Sequence, residues 1–291
     1  MTIHYTPLSW TSSDGLTLHA RDYAPTDGPA RLPVIAIHGL TRNSADFEAI
    51  APLMAQAGHR VLAIDVRGRG LSERAPDPMT YRPDVYAQDV LALLDQEAIS
   101  RAIFLGTSMG GIITMALSAL KPQVIAGAIL NDVGPELAIE GLSRIAAYTG
   151  QPVVITNWDD ATAYAKRINE AAFPDHDNGF WQAFARRIFR EGPDGIPVLD
   201  YDPDISVPIR ASAAQALAPD LWPLFQSLTN NSPTLLIRGG ISDLISPDIV
   251  AKMQAAAPDM TYAEVPHIGH APLLDEPEAQ AAIFDFLKTI A

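Results

Sequence analysis

The chain has 291 residues, 48% hydrophobic and 19% charged, a composition that excludes a disordered or collagen-like protein and provides for a large core. Its 20 Lys and Arg against 34 Asp and Glu leave a formal charge of −14, so neither nucleic acid nor an anionic membrane surface is an expected partner. No Cys is present, which removes disulfides, iron–sulfur clusters and Cys-ligated zinc, and Met1 to Thr6 is neither basic nor apolar, so a cytoplasmic protein is expected.

Thr2 to Ala24 reads as two strands around the turn cluster Ser12-Ser13-Asp14-Gly15. After the Pro/Gly-rich stretch Pro25 to Pro33, the apolar run Val34-Ile35-Ala36-Ile37 ends in His38-Gly39, and Val61-Leu62-Ala63-Ile64 repeats the pattern. Short continuous runs of this kind predict strands buried on both faces. Between them Ser44 is the expected N-cap of a helix that carries Asp46 and Glu48 in its first turn and ends near Gly58. Tyr86, Val90, Leu93 and Leu94 at helical spacing precede the strand Ala102 to Leu105, followed by a helix from Met109 to Leu120 and a strand from Ile125 to Leu130. At the far end, Thr234 to Ile237 and Tyr262 to Val265 are strand-like, and Pro247 to Ala257 and Glu278 to Ile290 helical. Alternation of strands and helices predicts an α/β fold with a mostly parallel sheet covered by helices. The most apolar windows, such as Gly110 to Leu120, are interrupted, there by Thr114 and Ser118, and fall short of the about 20 residues that cross a bilayer.

Residues 135–230 break this rhythm with helical pieces, several prolines and no convincing pair of buried strands. They are expected to form a helical cap inserted into a core made of 1–134 and 231–291. About half of the chain's aromatic residues fall in this insert, including Trp158, Trp181, Phe184, Trp222 and Phe225. Most are expected in the cap's own core and its seam with the sheet, and a few in an apolar pocket.

Gly106-Thr107-Ser108-Met109-Gly110 matches G-x-S-x-G directly after a buried strand and directly before a helix, the context in which such a serine is held in a strained turn at the tip of a sheet. A serine hydroxyl is a weak nucleophile at neutral pH, so a base must take its proton and a third group must orient the base. Two later loops at predicted sheet ends offer them: Gly239-Gly240-Ile241-Ser242-Asp243, and His267-Ile268-Gly269-His270-Ala271-Pro272.

With these motifs the chain resembles the α/β-hydrolase-fold serine hydrolases over essentially all its length except the variable cap. His38-Gly39-Leu40 is similar to the family's loop after the third strand, and Asp65-Val66-Arg67-Gly68-Arg69-Gly70-Leu71-Ser72 to its D-x-R-G-x-G-x-S segment. Carried over residue by residue, the resemblance implies Ser108 as nucleophile, Asp243 as acid, His270 as base, and the backbone N–H groups of Leu40 and Met109 as the oxyanion hole. Met109 suits that role physically, because it opens a helix and its N–H has no intrahelical acceptor.

Each assignment has a rival. His267 competes with His270, but the family's histidine directly follows a glycine, as His270 follows Gly269. Asp132, after the strand Ile125 to Leu130, competes with Asp243, since some relatives draw their acid from that earlier strand end. His38 is expected to be a hydrogen-bonding residue at the loop base, Asp65 and Arg67 to brace loops, and His4, His19, His59 and His176 to be surface or packing residues without metal-ligand spacing. Arg186, Arg187 and Arg190 are expected on a solvated helix face.

The resemblance implies a cofactor-independent, metal-free carboxylic-ester hydrolase, and the aromatic-rich cap together with the charge of −14 leads to the expectation of a small-to-medium uncharged ester or lactone with an apolar body as substrate. Alternatives on the same fold are a C–C bond hydrolase of ring-cleavage products, whose usual Trp after the catalytic histidine is Ala271 here, and a non-catalytic small-ligand binding protein. Ser108 in place of an elbow aspartate argues against an epoxide hydrolase or a haloalkane dehalogenase.

Overall fold

The computed structural model describes residues 5–26, 30–214 and 220–290. His4 and the expected start of the first strand at Thr2 lie outside the described residues. Strands β1 (Thr6–Thr11) and β2 (Thr17–Tyr23) form the opening hairpin, whose turn uses Gly15 at φ +89, a conformation that a Cβ would strain. The chain then runs through β3 (Val34–Ile37), α1 (Ile50–Gln56), β4 (Val61–Asp65), α2 (Pro83–Gln96), β5 (Ala102–Thr107), α3 (Met109–Leu120) and β6 (Ile125–Asn131). There follow α4 (Ile139–Tyr148), α5 (Trp158–Asn169), α6 (Asn178–Ile188), β7 (Phe189–Glu191), β8 (Pro197–Leu199), α7 (Val207–Ala214) and α8 (Trp222–Asn231). The last elements are β9 (Thr234–Gly239), α9 (Pro247–Ala256), β10 (Thr261–Val265) and α10 (Pro277–Thr289).

Eight strands form one sheet in the order β1-β2-β4-β3-β5-β6-β9-β10. β1 with β2 and β2 with β4 are antiparallel, and every pair from β4 through β10 is parallel. The parallel strands are apolar on both faces because both faces are covered. Ile35, Leu62, Phe104 and Leu130 turn to the side of α2 and α3, while Val34, Ala36, Ile103, Leu105 and Ile129 turn to the side of α1 and α10. All four side chains of β3 are fully buried, each large one contributing about 2 kcal/mol of apolar burial.

Register fixes what lies along the sheet's C-terminal edge. Ile37 pairs with Gly106, Thr107 with Asn131, and Asn131 with Ile237, so the loops after β3, β5, β6 and β9 open side by side. In open α/β sheets this edge is where ligands bind.

Two local expectations are corrected. Ser44 is not an N-cap: Asn43 caps a short 3₁₀ turn over Ser44–Phe47 by accepting from the Ala45 N–H at 2.9 Å, and α1 begins only at Ile50. The Ser44 N–H instead donates to Asp65 Oδ1 at 2.7 Å, tying this loop to the end of β4. Inside the insert, β7 and β8 form an antiparallel pair that pattern reading missed, because each has three residues and only Phe189 and Pro197 are buried.

The insert between β6 and β9 divides by packing. Tyr164, Phe173, Trp181, Phe184 and Phe189, from α5 and α6 and their flanks, form an aromatic cluster of their own. Helix α8 behaves differently: Phe225 and Leu228 are fully buried in the sheet's core, and Ser227 Oγ donates to the Ser118 carbonyl of α3 at 3.1 Å. Trp222 and Phe225 therefore belong to the layer on the sheet.

Candidate active site

Ser108 stands between the last residue of β5 and the first of α3, at φ 51 and ψ −116. A side chain at positive φ costs on the order of 1–3 kcal/mol, and the surrounding backbone enforces it. The Ser108 N–H donates to the Asn131 carbonyl at 2.9 Å, and its own carbonyl accepts from the Gly111 N–H at 2.9 Å. Gly110 allows α3 to lie directly against β3, since a Cβ there would overlap the Ile37 carbonyl. The hydroxyl is thereby presented at the sheet edge on a rigid turn.

The Ser108 hydroxyl meets His270 Nε2 at 2.9 Å, and His270 Nδ1 meets Asp132 Oδ2 at 2.7 Å. With Nδ1–H donating to the carboxylate, Nε2 carries the lone pair and accepts from Ser108 Oγ–H. Asp132, fully buried at the end of β6, also accepts from the Gly239 N–H at 2.9 Å on Oδ1 and from Ser242 Oγ–H at 2.6 Å on Oδ2. The structure brings together Ser108, His270 and Asp132.

Asp243, the acid implied by the resemblance, is not the residue bound to His270. Its carboxylate is held bidentately by Arg144 of α4, Nε to Oδ2 at 2.6 Å and Nη2 to Oδ1 at 2.8 Å. Burial opposes its ionisation, yet the Arg144 hydrogen bonds and charge prevail and hold the carboxyl below the usual range. A cation from the insert has thus drawn this carboxylate aside, while Ser242 turns its hydroxyl to Asp132. His267 is exposed on the turn after β10, away from the Ser108 contact.

Gly39, Leu40 and Thr41 face the same cleft as Ser108 and His270. Arg69, which sequence reasoning passed over, braces this loop from beneath: its guanidinium is buried, Nε donates to the Leu40 carbonyl at 3.0 Å, and Nη1 to Tyr86 Oη at 2.9 Å. His38 is fully buried; its Nε2 accepts from the Val66 N–H at 3.1 Å and its Nδ1–H meets the Gly39 carbonyl at 2.7 Å. Burial pushes its pKa down to about 4 against the opposing pull of Asp65, which keeps it neutral as a loop brace. Asp65 accepts from the Ser44 and Leu71 N–H groups, and Arg67 is fully buried between Asp89 and Asp14.

Asn131 was also missed. Its Nδ2 donates to Thr107 Oγ1 at 3.0 Å and to the Pro272 carbonyl at 2.9 Å, binding the serine turn to the histidine loop across the end of β6. Its position, one residue before Asp132 and inside an apolar strand, was the available signal.

The cleft above Ser108 encloses about 850 Å³ of non-atom space, open solvent at its mouth included. The insert supplies one wall, through Ile145, Tyr148, Tyr164, Phe173, Phe184 and Tyr201. None of Arg144, Arg167, Arg186, Arg187 and Arg190 lines it. Arg186 lies 3.4 Å from the Trp158 ring centre, Arg167 5.1 Å from that of Tyr164, and Arg190 pairs with Asp200 at 3.3 Å. Arg42, which does line it, is ion-paired with Asp46 and stacked on Phe184 at 4.3 Å. Among the described residues no group of three or more His, Asp or Glu side chains could hold a metal ion, and no helix is long and apolar enough to cross a membrane.

Comparison with known proteins agrees with this architecture. A family model described as the alpha/beta hydrolase fold matches residues 33–277. The chain is 37% identical over 273 residues to a 3-hydroxybutyrate-oligomer hydrolase of Cupriavidus necator, covering 91% of this chain and 92% of that one. It is 28% identical to a 2-(acetamidomethylene)succinate hydrolase of Mesorhizobium japonicum, over 88% and 85% of the two chains. A solved α/β hydrolase of Novosphingobium aromaticivorans superposes with a TM-score of 0.90 at 45% identity, over 99% of both chains. The chain belongs to the α/β hydrolase fold family.

Proposed function

We propose that the protein is a serine hydrolase of carboxylic esters, acting through an acyl-enzyme on Ser108. The observation that carries this reading is the continuous relay from Ser108 Oγ through His270 to Asp132 at the floor of the cleft. Ser108 attacks the ester carbonyl carbon as His270 Nε2 takes its proton, and the resulting imidazolium is stabilised by Asp132. His270 then protonates the leaving alcohol. A water, deprotonated by the same nitrogen, adds to the acyl carbon and releases the carboxylic acid with Ser108 restored.

Charge that develops on the carbonyl oxygen is met by the N–H groups of Met109, at the positive end of α3, and Leu40. The insert acts as a cap whose apolar wall takes the body of the substrate and excludes water. Since Arg42 is neutralised by Asp46, the cleft is suited to an uncharged acyl or alcohol group. The likeness to a 3-hydroxybutyrate-oligomer hydrolase supports the ester reading, because oligomers of a hydroxy acid are joined by ester bonds.

The test compares the wild type with Ser108→Ala on short-chain p-nitrophenyl esters and with a fluorophosphonate label. Turnover and labelling in the wild type, both lost in a variant that retains its circular dichroism spectrum, are the expected result. Equal p-nitrophenol release from the two proteins would refute the mechanism and favour a non-catalytic binder.

A further inference from the structure

Ser242 lies in the loop after β9, beside Asp243, and does not line the cleft. Its hydroxyl donates to Asp132 Oδ2 at 2.6 Å, the same oxygen that meets His270 Nδ1 at 2.7 Å. The direction of that proton is fixed from behind. The N–H groups of Leu244 and Ile245 donate to Ser242 Oγ at 3.2 and 3.3 Å and take up its two lone pairs, so the single O–H is left to point at the carboxylate.

Asp132 is fully buried, so its carboxylate is oriented by protein groups rather than by bulk water. The Gly239 N–H holds Oδ1 at 2.9 Å and Ser242 holds Oδ2, which locks the carboxylate plane before His270 is counted. Without the Ser242 donor, Oδ2 is held by His270 alone among the described residues, and the carboxylate is free to turn about its Oδ1 contact. The loop that carries Ser242 is itself a fixed post. The Ser242 N–H donates to the Gly239 carbonyl at 2.9 Å, and the Ile241 N–H to the Ile268 carbonyl of the histidine loop at 3.0 Å. From the insert, the Gly141 and Ala138 N–H groups at the start of α4 donate to the Asp243 and Leu244 carbonyls at 3.0 and 2.9 Å, beside the Arg144 pair with Asp243.

We propose that Ser242 is a positioning residue of the relay: its hydroxyl holds Asp132 Oδ2 opposite His270 Nδ1, and through that contact keeps Nε2 aimed at Ser108 Oγ. This rests on the serine-hydrolase reading and deepens it with a fourth side chain that acts only through Asp132. Hydrogen bonds to a charged group are the strong ones, and a buried carboxylate that loses one of its three donors has no bulk water to replace it. Since Ser242 stands behind the relay and away from the cleft, the effect falls on kcat rather than on KM.

The test is a double-mutant cycle of Ser242→Ala with Asp132→Asn, read by kcat and KM on one p-nitrophenyl ester and by the His270 Nδ1–H proton in the ¹H NMR spectrum, downfield of the amide region. Ser242→Ala is expected to lower kcat about tenfold with KM changed by less than about twofold, and Ser242→Thr, which keeps the hydroxyl, to recover most of that loss. The downfield resonance should shift or vanish in Ser242→Ala and stay in place in Ser242→Thr. In the Asp132→Asn background the same Ala substitution should cost less than about twofold, because a residue that acts through Asp132 has nothing left to position. Equal losses in the two backgrounds mark a merely structural role and overturn the proposal. Wild-type kcat or an unmoved resonance in Ser242→Ala overturns it too, as does a loss in Ser242→Thr as large as in Ser242→Ala. Should Ser242→Ala not fold, Ser242→Cys, of similar size and with only a weak S–H donor, takes its place in the cycle. The two readings fail separately: a wild type that cleaves no ester overturns the ester reading, while the resonance, recorded without substrate, still decides whether Ser242 orders the contact of His270 with Asp132.

Discussion

Asp132→Asn keeps the shape of the acid but removes the charge opposite His270, and its amide can donate to Nδ1 and so favour the tautomer in which Nε2 no longer accepts from Ser108. A loss of about 10⁴-fold in kcat is expected, by analogy with the Ser-His-Asp template. Asp243→Asn should cost about tenfold or less, since it weakens the Arg144 pair and leaves the His270 contact in place. Steady-state rates of the two variants on one p-nitrophenyl ester decide the matter, and a larger loss at Asp243 would remove Asp132 from the relay. The Ser108–His270 contact was legible in the sequence because each residue is marked by its immediate neighbours, a strand before and glycines beside. The partner of His270 Nδ1 was not, because both aspartates lie in loops just beyond a parallel strand. What separates them is the approach of Arg144 from a helix about a hundred residues earlier in the chain, a tertiary fact that no local pattern encodes. The same holds for Arg42 and Tyr201, whose neighbours in space come from distant segments.

Between elements, the seam of the insert with the loop after β3 carries a titratable latch. Asp200, just beyond β8, accepts from Asn43 Nδ2 at 3.0 Å and pairs with Arg190, and Asn43 Nδ2 also donates to the Arg187 carbonyl at 2.8 Å. Burial, reinforced by the charge of Asp65, pushes the Asp200 carboxyl up to about 6. A carboxyl raised in the folded state holds its proton more tightly there than in the unfolded chain, so its cost to stability is absent below the ordinary pKa of 3.8, grows as pH rises, and is complete above about 6. That cost is on the order of 3 kcal/mol. Asp200→Asn should therefore raise Tm relative to wild type at pH 7.5 and show little or no gain at pH 4.5; a gain that shrinks as pH rises would contradict the assignment. The sheet beside this latch was readable because buried parallel strands are continuous apolar runs and their helices keep a helical period. The small β7–β8 pair was not, since its strands are too short to show alternation. Helix α8 carries the composition of the insert but is claimed by the core through contacts with α3.

At the scale of the whole molecule, the formal charge of −14 sets the field through which a substrate approaches. The cleft does little to reverse that field locally: Arg42 is neutralised by Asp46, and of the insert's arginines Arg144 is turned to Asp243, Arg190 to Asp200, and Arg167 and Arg186 onto aromatic rings. An ester bearing a carboxylate should thus meet repulsion that an isosteric neutral ester does not. Screening acts on this term alone, because the Debye length contracts from about 30 Å at 0.01 M salt to about 10 Å at 0.1 M, below the dimensions of the protein. Across that range kcat/KM for the neutral ester should stay level while that for the anionic ester rises by a few-fold. The comparison must be made as a ratio on one enzyme preparation, so that any effect of salt on the relay cancels. If the anionic ester is instead preferred at low salt and loses its advantage as salt is added, a positive local field governs the mouth of the cleft, and the uncharged substrate class inferred from the paired arginines is wrong.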